Sequence, residues 1–101
     1  MAKFKRVLLK LSGEALAGES GHGIDNTILS DMASEIASMV RAGIQVALVI
    51  GGGNLVRGIS ASAGGMNRAQ GDAMGMLGTV MNGLAMQDAL DKQSIDSVVL
   101  S

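Results

Sequence analysis

The sequence predicts an α/β fold with a mainly parallel sheet, and three observations carry that expectation. Short apolar runs at residues 6–12, 44–50 and 96–100 alternate with two long stretches of helical spacing, a β-α-β-α-β order. The middle run, Ile44-Gln45-Val46-Ala47-Leu48-Val49-Ile50, is almost continuously apolar, as expected of a strand buried on both faces of a parallel sheet. No proline interrupts any of these segments. Parallel strands joined in this order imply right-handed crossovers.

Each element has its own local reason. Arg6-Val7-Leu8-Leu9-Lys10-Leu11-Ser12 reads as the first strand, apolar on both faces apart from Lys10. Asp25 or Asn26 can cap a helix that runs to Ala42, with a stripe of Ile28, Met32, Ile36 and Val40 flanked by Leu29, Ala33 and Ala37. Gly43 stands where helices often end in a left-handed residue. Gly51-Gly52-Gly53 stops the second strand, and a loop of Gly, Ser and Asn leads to a second long helix, about 68–91. Asp96-Ser97-Val98-Val99-Leu100 reads as a third strand. Three strands leave edges and faces to be covered, so the chain is expected to be part of something longer.

Composition excludes several functions. With Phe4 the single aromatic residue and a net charge of −1, there is no stacking platform and no extended basic surface for nucleic acid. Cysteine is absent, which removes disulfides and thiolate metal sites, and the lone His22 cannot form a zinc site by itself. The apolar run after the charged start MAKFKR ends at Lys10, too short for a membrane span and unlike a signal peptide. The expectation is a cytoplasmic protein with no metal site of its own.

The glycines point to phosphate. Ligands in open α/β sheets bind beyond the carboxyl ends of strands. Both predicted strand ends are glycine-rich there, Ser12-Gly13 and Gly51-Gly52-Gly53-Asn54, with Lys10 and Arg57 beside them. Glycine lets several backbone N–H groups converge on phosphate oxygens. Tight turns alone would also use glycine, but two such turns at neighbouring strand ends favour an anion. Lys10, in an otherwise apolar strand, must reach water or an anionic partner. Neither familiar nucleotide loop is present. Gly13 to Gly18 and Gly53 to Gly58 have the spacing of a Walker A loop, but Glu19 and Ile59 occupy the lysine position, and no G-x-G-x-x-G occurs.

Lys10-Leu11-Ser12-Gly13-Glu14-Ala15-Leu16, followed by Val49-Ile50-Gly51-Gly52-Gly53-Asn54 and Arg57-Gly58, resembles the amino acid kinase superfamily, whose members transfer phosphoryl groups without a Walker A loop. Gly65-Met66-Asn67-Arg68, Gly71-Asp72, Met74-Gly75-Met76-Leu77 and Thr79-Val80-Met81-Asn82-Gly83-Leu84-Ala85-Met86 resemble more specifically the branch that phosphorylates UMP. The branches acting on aspartate, glutamate, acetylglutamate or carbamate are less similar. The resemblance extends from Lys5 to Leu100.

The resemblance implies a three-layer α/β/α fold, of which residues 1–101 would be the N-terminal part of a single domain. It implies ATP and UMP as substrates, with Mg2+ held mainly by the nucleotide phosphates. Lys10, Leu11, Ser12, Gly13, Gly53 and Arg57 would bind ATP, with Lys10 and Arg57 catalytic. Gly52 and Asp72 would bind UMP, although Asp72 also suits the positive end of its helix. Gly18-Glu19-Ser20-Gly21-His22-Gly23, which read by themselves as a surface loop, would help to bind GTP as an allosteric activator. The second helix would form a dimer contact repeated into a hexamer. Two alternatives stay open: a kinase for a carboxylate or carbamate, and a nucleotide-binding module without turnover.

Overall fold

A computed structural model describes residues 5–55 and 67–100. Strand β1 (Lys5–Leu11) lies parallel to β2 (Ile44–Ile50), in a register that sets Lys5 opposite Ile44 and Leu11 opposite Ile50. Both strands therefore end together, at the same edge of the sheet. Helix α1 (Asn26–Arg41) makes the crossover between them, and helix α2 (Arg68–Asp91) follows β2.

Local chemistry accounts for the helix ends. Asp25 is the residue that caps α1: its Oδ1 accepts from the N–H groups of Thr27 at 2.9 Å and Ile28 at 3.1 Å. These are two of the N–H groups that a helix start otherwise leaves unpaired. At the other end Gly43 adopts φ of +90° and its N–H bonds to Val40 O at 3.0 Å. Asn67 caps α2 through a bond from Ala69 N at 2.8 Å. Arg41 donates to the carbonyl of Gln93, joining the C-terminal ends of the two helices.

The core lies between the helices and one face of the sheet. It contains Leu16, Leu29, Ala33, Ile36, Ile50, Met86, Ala89 and Leu90. On α1 the most buried line is Leu29, Ala33, Ile36 and Ala37, while Ile28, Met32 and Val40 are only half-buried. The buried side thus keeps Ile36 from the expected line of Ile28, Met32, Ile36 and Val40 and otherwise lies on its flank of Leu29, Ala33 and Ala37; α1 packs on α2 as well as on β2.

Two strand expectations are corrected. Strand β2 is not buried on both faces: Ile44, Val46, Leu48 and Ile50 face the helices, whereas Gln45, Ala47 and Val49 are exposed among the described residues. Leu8 on β1 shares that open face, which leaves the apolar pair Leu8 and Val49 61% and 51% exposed. Residues 96–100 form no strand, and the described sheet has two strands. The segment instead lies along α2, held by a bond from Gln87 Nε2 to Ser97 O at 3.0 Å and by Val99 close to Gly83. Alternating apolar residues supply strand propensity, but a strand exists only where a ladder partner meets it.

Candidate functional site

The site grows from the shared carboxyl ends of β1 and β2. After Leu11 the chain turns through Ser12 into a single 3-10 turn, Gly13–Leu16. After Ile50 it passes through Gly51 and Gly52 into a helical turn that begins at Gly53. Gly51 N donates to Leu11 O at 3.0 Å, extending the β ladder by one bond into the turns. The two glycine turns then touch. A Cβ on Gly13 would stand 2.6 Å from Gly53 N and 2.9 Å from Gly51 O. No side chain fits there: besides these two backbone atoms, which cannot move aside cheaply, Asn54 Oδ1 would also stand 2.6 Å away.

The second turn also rests on α2. A Cβ on Gly52 would stand 2.8 Å from Thr79 N and 3.0 Å from Gly75 O. Gly53 has the Glu14 carboxylate against it. Three backbones therefore meet within van der Waals contact: the end of β1, the end of β2 and the middle of α2. The result is a compact glycine-rich junction at the carboxyl ends of the two strands.

Lys10 sits one residue before the end of β1, opposite Val49, on the open face of the sheet. Its side chain is exposed, and it has no ion-pair partner among the described residues. Asp72 is exposed in the second turn of α2. Gly75 follows it by three positions and Thr79 by about two helical turns, so Asp72 shares the side of α2 that meets Gly52. Arg57 lies outside the described residues, as do Gly58, Gly65 and Met66.

The segment 18–23 opens with a 3-10 turn, Gly18–Ser20, and leaves Glu19, Ser20, Gly21 and His22 exposed. Ser20 Oγ is 3.0 Å from Ala17 O and 2.8 Å from His22 O, positioned to donate to either. The far end of the segment is fastened to the glycine turn. Gly23 N donates to Asn54 O at 3.0 Å, and Asn54 Nδ2 donates to Gly23 O at 2.7 Å.

Sequence reasoning assigned no role to Asn54 or Asn82, yet both are buried at the centre of this arrangement, 3% and 0% exposed. Asn82 Nδ2 donates to Gly51 O at 2.8 Å and to Asn54 Oδ1 at 2.7 Å, and Asn54 Nδ2 donates to Asn82 Oδ1 at 3.3 Å. The signal available in the sequence was an asparagine inside an apolar helix, a residue that is costly to bury without partners.

The amino acid kinase family matches this chain over residues 5–101, and the chain belongs to that family. Within it, the chain is 60% identical over 99 residues to a uridylate kinase of Pseudomonas paraeruginosa, covering 98% of this chain and 40% of that enzyme. It is 58% identical to the uridylate kinase of Psychromonas ingrahamii, covering 97% of this chain and 39% of that one. The UMP kinase of Ureaplasma parvum superposes with a TM-score of 0.86 at 34% identity, covering 98% of this chain and 43% of that one. The UMP kinase of Bacillus anthracis superposes with a TM-score of 0.78 at 45% identity, covering 88% and 36%. The chain thus spans about 40% of the length of the curated relatives it matches.

Proposed function

We propose that this chain carries the phosphate-gripping part of a uridylate kinase, which transfers the γ-phosphoryl group of ATP to UMP to give UDP. The observation that carries this reading is the direct contact of the two glycine turns, beside Lys10, at the ends of adjacent parallel strands. Its relatives' specificity favours UMP over the carboxylate and carbamate substrates of other amino acid kinases.

In this reading Leu11, Ser12, Gly13 and Gly53 present backbone N–H groups to the ATP phosphates, while Gly52 meets the UMP phosphate and Asp72 accepts from the UMP ribose hydroxyls. A UMP phosphate oxygen attacks the γ-phosphorus, the bond to the bridging oxygen breaks, and ADP leaves with that oxygen's electrons. Little covalent chemistry falls to the protein, whose contribution is positioning and charge. Lys10, and Arg57 outside the described residues, neutralise the charge that spreads over the transferred group. The donors at the turns suit phosphate oxygens, not a cation. Among the described residues no group of three or more His, Cys, Asp or Glu side chains could hold a metal. Mg2+ would accordingly ride on the phosphates, where it keeps oxygen ligands and screens repulsion between the nucleotides.

The exposed loop Gly18, Glu19, Ser20, Gly21, His22 and Gly23 is the proposed element for GTP as an activator. No helix among the described residues is long and apolar enough to cross a membrane. An ATP-dependent enzyme of this composition belongs in the cytoplasm.

The test is UDP formation from ATP and UMP by a polypeptide of the relatives' full length carrying this sequence, against aspartate, glutamate, acetylglutamate and carbamate. Preference for any of these over UMP would overturn the reading. In the same protein Asp72→Ala is expected to raise the KM for UMP at least about tenfold, the loss of a charge-assisted hydrogen bond. Arg57→Ala is expected to lower kcat instead. Unchanged UMP kinetics in both variants would remove these two residues from the site.

Helix α2 is also the proposed oligomer contact. Met76, Leu77, Met81 and Leu84 are 65%, 64%, 56% and 52% exposed along it, an apolar stripe unlike an ordinary solvated face. A second copy of α2 would cover it, in a dimer repeated into a hexamer. Light scattering is expected to give a dimer or larger, with Leu77→Glu shifting it towards monomer. A well-folded monomer at high concentration would count against the contact.

A further inference from the structure

We propose that Asn54 and Asn82 form a positioning pair that sets the Gly51–Gly53 turn and couples it mechanically to the loop 18–23. Their four side-chain N–H bonds are all directed: one to Gly51 O, one to Gly23 O and two to each other's Oδ1. An asparagine amide has two N–H donors, so the donors of both residues are fully used. Asn82 belongs to α2, Asn54 to the glycine turn and Gly23 to the loop.

The location gives the pair its effect. Gly51 is held from two sides, its N–H by Leu11 O and its carbonyl by Asn82. Gly52 is meanwhile pressed on the backbone of α2 around Thr79. The orientation of the N–H groups that follow depends on these anchors. Gly23 is bonded to Asn54 through both its N–H and its carbonyl. A displacement of the loop must move Asn54, break the bonds to Asn82, or carry the turn with it. Because the pair is buried, an opened bond leaves polar groups without water, so the arrangement has few intermediate states. A ligand that favours one loop conformation then biases the turn, and by linkage a ligand on the turn biases the loop.

The regulatory consequence rests on the assignment of the loop to an activator, whereas the coupling does not. The two are therefore measured separately in a polypeptide of the relatives' full length. Hydrogen exchange at the Gly23 amide, with the Ile36 amide of α1 as internal reference, reads the coupling. Asn82→Leu and Asn54→Ala are each expected to speed exchange at Gly23 at least about tenfold relative to Ile36. Gln87→Leu, which removes a different hydrogen bond from the same helix, should leave Gly23 unchanged. Exchange at Gly23 that is unaltered, or that only follows Ile36, would overturn the proposal. If Asn82→Leu fails to fold, Asn54→Ala, on a turn, decides the matter. GTP dependence of kcat/KM for UMP forms the second arm, and Asn54→Ala should bring the activation ratio close to one. GTP without effect on the unaltered protein would sink the regulatory reading of the loop and leave the exchange result to decide the coupling.

Discussion

The 101-residue chain on its own is expected to form UDP from ATP and UMP at a negligible rate. It spans about 40% of the length of its uridylate kinase relatives, and the residues proposed for it are mainly phosphate contacts. None of its residues is assigned to adenine, and Asp72 is the one group assigned to the UMP nucleoside. Phosphates held by charge but with free nucleosides lack fixed orientation, and orientation alone can be worth roughly 7–11 kcal/mol of a barrier. The assay is UDP formation by the purified chain, with an enzyme of the relatives' full length as control. Turnover within about tenfold of that control, a barrier difference of ~1.4 kcal/mol, would place the essential site within residues 1–101.

The second large effect is expected from a matched pair of glycine substitutions at one contact. Gly52→Ala should destabilise the fold by about 1–3 kcal/mol, the range for overpacking a close contact. Its Cβ would meet the backbone of α2 at 2.8 Å from Thr79 N and 3.0 Å from Gly75 O. Gly75→Ala, on the other side of that contact, has nothing within 4 Å of its Cβ. It should stabilise by about 0.5–1 kcal/mol, because glycine weakens a helix interior relative to alanine. Opposite signs in urea denaturation are the expected result. Equal, small effects would mean that the turn does not rest on α2.

Much of this was legible from local pattern. The helical spacing from residue 26 onwards, the capping chemistry of Asp25 and the position of Gly43 follow from interactions within one turn of helix, which neighbouring residues control. The same holds for β1 and β2, and for the bounds of the helix 68–91. The glycine turns could be located as well, because strand ends and glycines are both read directly. That they touch could not, since contact between Gly13 and Gly53 depends on the register of two strands far apart in sequence.

The departures have a common cause. Residues 44–50 are apolar enough for a strand covered on both sides, and the segment 96–100 alternates like a strand. Covering and pairing are properties of what lies alongside, and the described residues cover one face of the sheet and give 96–100 no ladder. Likewise α1 offered a line of Ile28, Met32, Ile36 and Val40, and packing against two surfaces buried Ile36 and the flanking Leu29, Ala33 and Ala37 most deeply.

By itself, then, the sequence determined where the two long helices and the first two strands form, that glycine turns close those strands, and that Lys10 stands beside one, because each depends on a few neighbouring residues. The tertiary structure alone decided that the turns meet on α2 and that Asn54 and Asn82 bind them to the loop 18–23. Hydrogen bonds between residues some thirty positions apart leave no periodicity in the chain. Only folding brings those groups within reach of each other.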